Sequence, residues 1–209
     1  MKFIEKIASW VLVVGLVGLL MVGVLPEPTS GQTVTVSATV SSSMVSCTTA
    51  NSAISFPTLD NTVIATSTTD ATTTIQSSGA VVMTAYDSGD EATYPGLYKN
   101  PDLIESPWAT TTDATGTIEA GQEGFGMQAT NSSGTNVLVE WRYDFATSIA
   151  VSQDVGGIMY SAGNASTVAS SAAAITETEV IDITFVAAAS ITTPGGGYSD
   201  GITLSCTAS

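Results

Sequence analysis

The densest group of side chains able to do chemistry lies on a short acidic turn. Asp87, Asp90 and Glu91 fall within five residues of one another, and carboxylate ligands on a flexible loop suit Ca²⁺. Their spacing differs from the twelve-residue EF-hand loop, and a solvated acidic turn accounts for the same residues. The sequence therefore contains one candidate calcium site and indicates no other cofactor.

Three aromatic side chains follow this turn: Tyr94, Tyr98 and Trp108. Aromatic rings that share one exposed surface can stack on sugar rings, with the acidic turn holding Ca²⁺ beside them. Rings that fold inward belong to the core instead. Whether the three aromatics form one platform therefore separates a carbohydrate-binding module from a structural protein.

The residue types in the sequence give little support for an enzymatic function. The chain has no histidine, so Ser–His and Cys–His pairs are absent and the commonest general base is missing. Two carboxylates can hydrolyse a glycoside, and Glu119, Glu123, Glu140 and Asp144 are near one another in sequence. On the predicted strands, however, these acids face outward. We therefore expect no catalytic residues and no enzymatic activity.

The only two cysteines are Cys47 and Cys206. In an oxidising compartment an even pair predicts a disulfide, and two separate buried thiols are the alternative. A metal site is not indicated, because the chain offers neither Cys-x-x-Cys nor histidine. A Cys47–Cys206 bridge would join the two ends of the folded domain.

Alternating apolar and polar residues predict many short strands. The clearest patterns cover residues 33–40, 136–143, 180–186 and 202–206, and weaker ones cover 53–56, 62–66, 71–76, 79–86, 116–120, 123–130 and 157–161. In 136–143 the pattern predicts inward Val137, Val139, Trp141 and Tyr143, with Glu140 and Arg142 outward. Turn residues separate the segments. The sequence thus predicts an all-β antiparallel sandwich, Ig-like or jelly-roll-like, as one domain over residues 32–209.

Two stretches depart from this pattern. Residues 86–113 show few clean alternations and are predicted to form a long loop excursion, either a functional loop or a flap over one end of the sandwich. Residues 165–179 suit a helix and a strand equally. The sequence does not decide between the two alternatives for either stretch.

The N-terminal 31 residues have the composition of a hydrophobic leader helix. Lys2 and Lys6 precede the apolar run Val11–Leu25, and a short polar segment leads to Gly31, as in a secretory signal peptide. Residues 7–25 are uncharged and long enough for a retained membrane anchor instead. In either case the remaining chain is expected outside the cytoplasm, secreted or at the cell surface.

The strongly acidic balance limits the partners. The formal net charge is −15, which repels phosphate backbones and excludes nucleic-acid binding. Anionic membrane surfaces are disfavoured by the same field. Contact with a membrane is therefore expected only through residues 7–25, if the leader is retained.

The two ends of the folded part resemble a known group of exported proteins. The segment Gly196–Cys206 (GGYSDGITLSC) resembles the closing strand of bacterial spore-coat-U and fimbrial-subunit sandwich domains. The start is also similar, with a Val/Ala strand, then Cys47, then the Phe56–Leu59 stretch. The resemblance covers about thirty of the 209 residues. It implies a structural subunit of a surface appendage or coat that associates with itself or with other surface subunits.

The segment Thr33–Val40 is the candidate assembly strand. Val34, Val36, Ala38 and Val40 share one face of it, and such a strand can pair with the open sheet edge of a neighbour. Pairing within its own domain is the alternative. We therefore expect a secreted or surface-attached assembly subunit of the pilus, coat or filament kind. The alternative function is an extracellular ligand-binding module for carbohydrate.

Overall fold

Short antiparallel strands make up most of the folded chain. The computed structural model describes residues 44–89, 94–106, 115–145, 152–159 and 162–209. In chain order its strands are β1 (Val45–Ala50), β2 (Ala65–Thr66), β3 (Ala71–Ser77), β4 (Val81–Asp87), β5 (Gly96–Lys99), β6 (Asp102–Glu105), β7 (Thr115–Glu119), β8 (Gly124–Ser133), β9 (Leu138–Val139), β10 (Ser152–Gly156), β11 (Ser166–Ser171), β12 (Ile175–Ala188) and β13 (Ile202–Ala208). One 3-10 turn, Ala162–Asn164, is the only helical element in these ranges.

Two sheets face each other and enclose the core. The larger sheet has the order β1-β3-β12-β8-β10-β7, with β2 also paired to β12, and the smaller has the order β13-β4-β11-β9. Strands β5 and β6 form a separate hairpin. All strand pairs are antiparallel, and the main core draws buried side chains from both sheets. This confirms the predicted antiparallel β-sandwich.

Strand β12 is the central element of the larger sheet. It pairs with β3 on one side and with β8 on the other. Its alternation buries Ile181, Ile183 and Phe185 as predicted. Each such side chain stabilises the fold by about 1.5–3 kcal/mol relative to its exposed state, so β12 contributes much of the core.

The predicted disulfide is confirmed. Cys47 on β1 and Cys206 on β13 are bonded, with their Cα atoms 6.0 Å apart. Because β1 ends the larger sheet and β13 ends the smaller one, the bond joins the two sheets along one side of the sandwich. Disulfides persist in oxidising compartments, so this bond is compatible with a location outside the cytoplasm.

The predicted strand at 136–143 is wrong in its second half. Only Leu138–Val139 is a strand, and the Glu140 carbonyl then accepts hydrogen bonds from the Tyr143 and Asp144 amides in a turn. The turn breaks the alternation. Trp141 is therefore 67% exposed instead of inward, and Arg142 is buried instead of outward.

Other local predictions change as well. Residues 53–56 and the described part of 157–161, residues 157–159, are not strands, and β10 lies at 152–156 instead. The backbone of residues 157–159 makes other hydrogen bonds: the Ile158 amide donates to Ser106 Oγ, and the Met159 carbonyl accepts from Asp87 N. The open stretch 165–179 contains β11 and the start of β12. The excursion at 86–113 contains the β5–β6 hairpin.

Several predictions lie outside the described residues. These include the leader at 1–31 and the candidate assembly strand with Val34, Val36, Ala38 and Val40. Within the described ranges, no helix has the length and apolar character needed to cross a bilayer.

Candidate functional site

A large apolar cleft opens at one end of the sandwich. Its volume is about 1320 Å³, above the range of about 300–1,000 Å³ that is usual for small-molecule sites. Residues 51–61 form one wall and residues 189–200 line the other. Neither wall belongs to a named strand, so the cleft lies between two connecting segments above the core.

Three phenylalanine rings line the base of the cleft. Phe125 stacks on Phe185 with the ring centroids 6.0 Å apart, and Phe56 meets Phe125 edge-on at 6.2 Å. Leu97 and Ile104 from the β5–β6 hairpin add aliphatic surface. Rings in these arrangements contribute about 0.5–1.5 kcal/mol per pair beyond their buried area. The floor is therefore a well-packed, apolar part of the core.

Hydrogen bonds hold both walls in place. In the first wall, the Ser55 carbonyl accepts from Thr68 N at 2.8 Å. In the second, Ser199 and Tyr98 exchange two backbone hydrogen bonds, at 2.8 and 3.0 Å, and Tyr198 Oη donates to the Pro194 carbonyl at 2.9 Å. The cleft is thus bounded by anchored segments on both sides.

Among the described residues, Asp60 and Asp200 are the charged side chains that line the cleft, and Lys99 lies against the lining residue Gly196. Lys99 Nζ is 3.1 Å from Asp102 Oδ2 and 5.6 Å from the centre of the Tyr198 ring. Burial raises the pKa of Tyr198, Lys99 opposes the rise, and Asp102 and Glu123 add to it. In the first wall, hydrogen bonds from the Thr62 side chain and backbone lower the pKa of Asp60. Among the described residues that line the cleft, none carries a positive charge.

One side of the cleft meets the edge strand of the smaller sheet. Ile202 and Leu204 of β13 line the cleft, and within the described residues β13 pairs with β4 alone. The Gly201 carbonyl accepts a hydrogen bond from Ser88 N, and the Ser209 amide donates one to the Ala80 carbonyl, so both groups point towards β4 and its flanking residues. Because the bonding side alternates along an antiparallel strand, the amides and carbonyls of Ile202, Leu204 and Cys206 point to the open side.

Asp87, the first residue of the candidate calcium site, is 3% exposed. Its Oδ1 accepts from Gly89 N at 2.7 Å and its Oδ2 accepts from Gly96 N at 3.0 Å. The carboxylate therefore ties the end of β4 to the start of β5. Asp90 and Glu91 lie outside the described residues, and among those described no group of three or more potential metal ligands is found.

Two of the three aromatic residues predicted to stack on a ligand, Tyr94 and Tyr98, are among the described residues. Tyr94 is 43% exposed, whereas Tyr98 lies on β5, is partly buried and pairs with Ser199. Trp108 lies outside the described residues. Tyr94 and Tyr98 thus differ in exposure and in role. The most exposed described aromatic is Trp141, which the sequence placed in the core.

A buried carboxylate, Glu179, organises the turn between β8 and β9 and was not singled out from sequence. It is 0% exposed. Oε1 accepts from Thr135 N, Asn136 N and Asn136 Nδ2 at 2.9–3.0 Å. Oε2 accepts from Asn131 Nδ2 at 2.9 Å and from Val137 N at 3.4 Å. Burial raises the pKa of Glu179, but the bonds from Asn136, Asn131 and Thr135 outweigh burial and lower it.

A signal for Glu179 was present in the sequence. It lies two and four residues before Ile181 and Ile183, so strand alternation puts all three on the inner face. The cleft had no such local signal, because its walls are far apart in sequence and neither is a strand.

Comparison of the sequence with protein-family models, and of the chain with curated proteins and solved structures, finds no match.

Proposed function

We propose that this chain is a secreted or surface-attached structural subunit that assembles with other copies or with other surface subunits. The open edge of β13 beside an apolar cleft carries the proposal. Edge strands with unpaired amides and carbonyls are templates for pairing with another chain. Natural monomers usually blunt such edges with charges or proline, and residues 201–209 contain neither.

The distribution of charge supports assembly on this side. A net charge of −15 makes copies repel each other over most of their surface. Among the described residues, 44–59, 183–199 and 201–209 contain no charged side chain, and they include β1, β13 and most of both cleft walls. The uncharged surface is therefore the one on which copies can approach with the least repulsion.

The Cys47–Cys206 bond suits a subunit that works outside the cell. It joins the two edge strands next to the cleft, so that the edges stay together while a partner binds. A leader at residues 1–31 would direct the chain to that location, as a cleaved signal peptide or as a membrane anchor.

Analytical ultracentrifugation of the purified secreted protein tests this proposal. We expect species larger than one copy whose fraction rises with protein concentration, with the disulfide intact by mass. Added salt should increase assembly, because it screens the repulsion between acidic copies. A single monomeric species at every concentration and salt level would reject self-assembly.

A further inference from the structure

Two asparagines of the chain carry the acceptor pattern for N-linked glycosylation, Asn-x-Ser/Thr with x other than proline. They are Asn131, in the sequence Asn-Ser-Ser, and Asn164, in the sequence Asn-Ala-Ser. We propose that the chain carries an N-linked oligosaccharide at Asn164 and none at Asn131. This proposal goes beyond the assembly function and does not depend on it, because it rests on other residues.

Asn164 lies on a connecting turn that has room for a bulky group. It is the last residue of the 3-10 turn Ala162–Asn164, between β10 and β11, and it is exposed. The residue before it, Gly163, is also exposed, and a Cβ at Gly163 would meet no other atom within 4 Å. Acceptor asparagines belong on surface loops of this kind. A glycan attached at Asn164 can therefore extend into solvent while β10 and β11 keep their pairing.

Asn131 lies on β8, and its side-chain amide is already part of the fold. Its Nδ2 donates to the Val137 carbonyl at 2.8 Å and to Glu179 Oε2 at 2.9 Å. A glycan replaces one of the two amide hydrogens, so one of these bonds would be lost. The sugar would also have to enter the region around Glu179, which is completely buried. We therefore expect no glycan at Asn131 in the folded protein.

Ser166, the third residue of the Asn164 acceptor, gives a second and independent indication. It is 1% exposed, and among the described residues its Oγ has no hydrogen-bond partner. A buried hydroxyl without a partner costs folding free energy, so this hydroxyl does not serve the folded state. The acceptor pattern, however, requires a hydroxyl at this position. The glycan must then be added to the unfolded chain, before Ser166 pairs with Ala85 of β4.

The modification joins the side-chain amide nitrogen of Asn164 to C1 of a sugar. The donor is an oligosaccharide held as a glycosyl diphosphate on a lipid, and the catalyst is a separate transferase. The bond between Nδ2 and C1 forms as the bond between C1 and the diphosphate oxygen breaks. The lipid diphosphate leaves with the electron pair of that bond, and a base of the transferase takes one amide proton. The chain itself supplies only the acceptor.

The glycosylation site lies away from the edge proposed for assembly. In the smaller sheet β4 separates β11 from β13, and Asn164 is not among the described residues that line the cleft. Glycosylation and assembly can therefore be tested separately, and the failure of one leaves the other standing.

The test compares the secreted full-length protein with Ser166→Ala and the matched control Ser133→Ala, all produced in the native cells. Each variant deletes one acceptor hydroxyl and keeps the asparagine. After reduction, trypsin cleaves behind Lys99 and Arg142, so residues 100–142 and 143–209 are separate peptides with one acceptor each. Tandem mass spectrometry should find sugar at Asn164 in the parent and in Ser133→Ala, and none in Ser166→Ala.

A second measurement asks whether the Ser166 hydroxyl serves the fold instead. Asn164→Gln changes an exposed residue and should also lack the sugar, which makes it the reference of equal glycosylation state. The urea midpoint of Ser166→Ala should equal or exceed that of Asn164→Gln, because the hydroxyl removed has no described partner. A clearly lower midpoint would mean that the hydroxyl is kept for folding, and would overturn the argument from Ser166.

Three results of the mass measurement would overturn the proposal. These are a native peptide 143–209 without sugar, sugar on peptide 100–142, and sugar that remains at Asn164 in Ser166→Ala.

Discussion

Replacing Glu179 with Gln is expected to destabilise the fold strongly, although the two side chains have nearly the same size. The carboxylate accepts five hydrogen bonds and none of its surface is exposed. A glutamine can keep its oxygen at the Oε1 position, where three of the donors converge. Its NH₂ group then faces Asn131 Nδ2 and Val137 N, which are also donors.

The size of the effect follows from the bonds lost. The variant loses a charge-assisted bond to Asn131 and the longer contact with Val137, and it leaves buried donors opposite each other. Bonds to charged groups contribute about 1.5–3 kcal/mol each, and an unsatisfied buried group costs about 1–3 kcal/mol. Allowing for partial rearrangement of Asn131, we expect Glu179→Gln to lower the free energy of unfolding by about 2–4 kcal/mol.

Urea denaturation at pH 7, with the disulfide intact, measures this difference. Glu177→Gln is the matched control, because Glu177 is exposed on the same strand, and surface substitutions change stability by less than about 0.5 kcal/mol. Equal effects at positions 177 and 179 would refute the reasoning.

The pH dependence of the difference has a defined sign. The pKa of Glu179 is lowered in the folded state from an ordinary value of 4.5. Its ionised form therefore contributes stability above pH 4.5, and this contribution is lost as pH falls through the lower folded pKa. The gap between parent and Glu179→Gln should be constant near neutral pH and shrink under acid conditions. A gap that widens on acidification would contradict the assignment.

Three further substitutions test other parts of the structure. Gly134→Ala should lower the free energy of unfolding by about 1–3 kcal/mol, because the φ angle of Gly134 is +98° and a Cβ there would overlap the Glu179 carboxylate. The control Gly79→Ala has open space around its Cβ and should be neutral or stabilising. Equal urea midpoints for the two variants would contradict this expectation. Cys47→Ser combined with Cys206→Ser should lower unfolding stability by up to about 4–5 kcal/mol, and no loss would contradict the bridging role. Asp87→Asn should cost about 1–3 kcal/mol in EDTA as well as in Ca²⁺, and a loss confined to Ca²⁺ would indicate metal binding.

Local patterns were enough to predict the sandwich and its disulfide. Strict alternation at 180–186 predicted which face of β12 is buried, and alternation at 202–206 predicted which side chains of β13 pack against the core, since a shift of one residue would turn the apolar set outward. The disulfide was predicted because the chain has only two cysteines and is expected in an oxidising compartment. Strand alternation depends on residues that are close in sequence, and the disulfide depends on there being no other cysteine to pair with. Both can be seen directly in the sequence.

Features that depend on distant contacts were not predictable in the same way. Trp141 and Arg142 exchanged roles because the Glu140 turn interrupts a pattern that reads as continuous in sequence. Alternation puts Glu177 and Glu179 alike on the inner face of β12, but a register shift in the pairing of β12 with β3 lies between Ile175 and Glu179, and Glu177 is exposed. The donors to Glu179 come from more than 40 residues away. The cleft likewise requires two walls that only the folded chain brings together.

Negative-stain imaging of native surface material, combined with intact mass, tests the assembly function most directly. We expect filaments or ordered layers that contain this chain, with a mass two hydrogens below that of the reduced polypeptide. Cleavage near Gly31 would mark a mature subunit, and a mass that includes residues 1–31 would mark a membrane-anchored one. Native material that consists only of dispersed single copies would contradict the account.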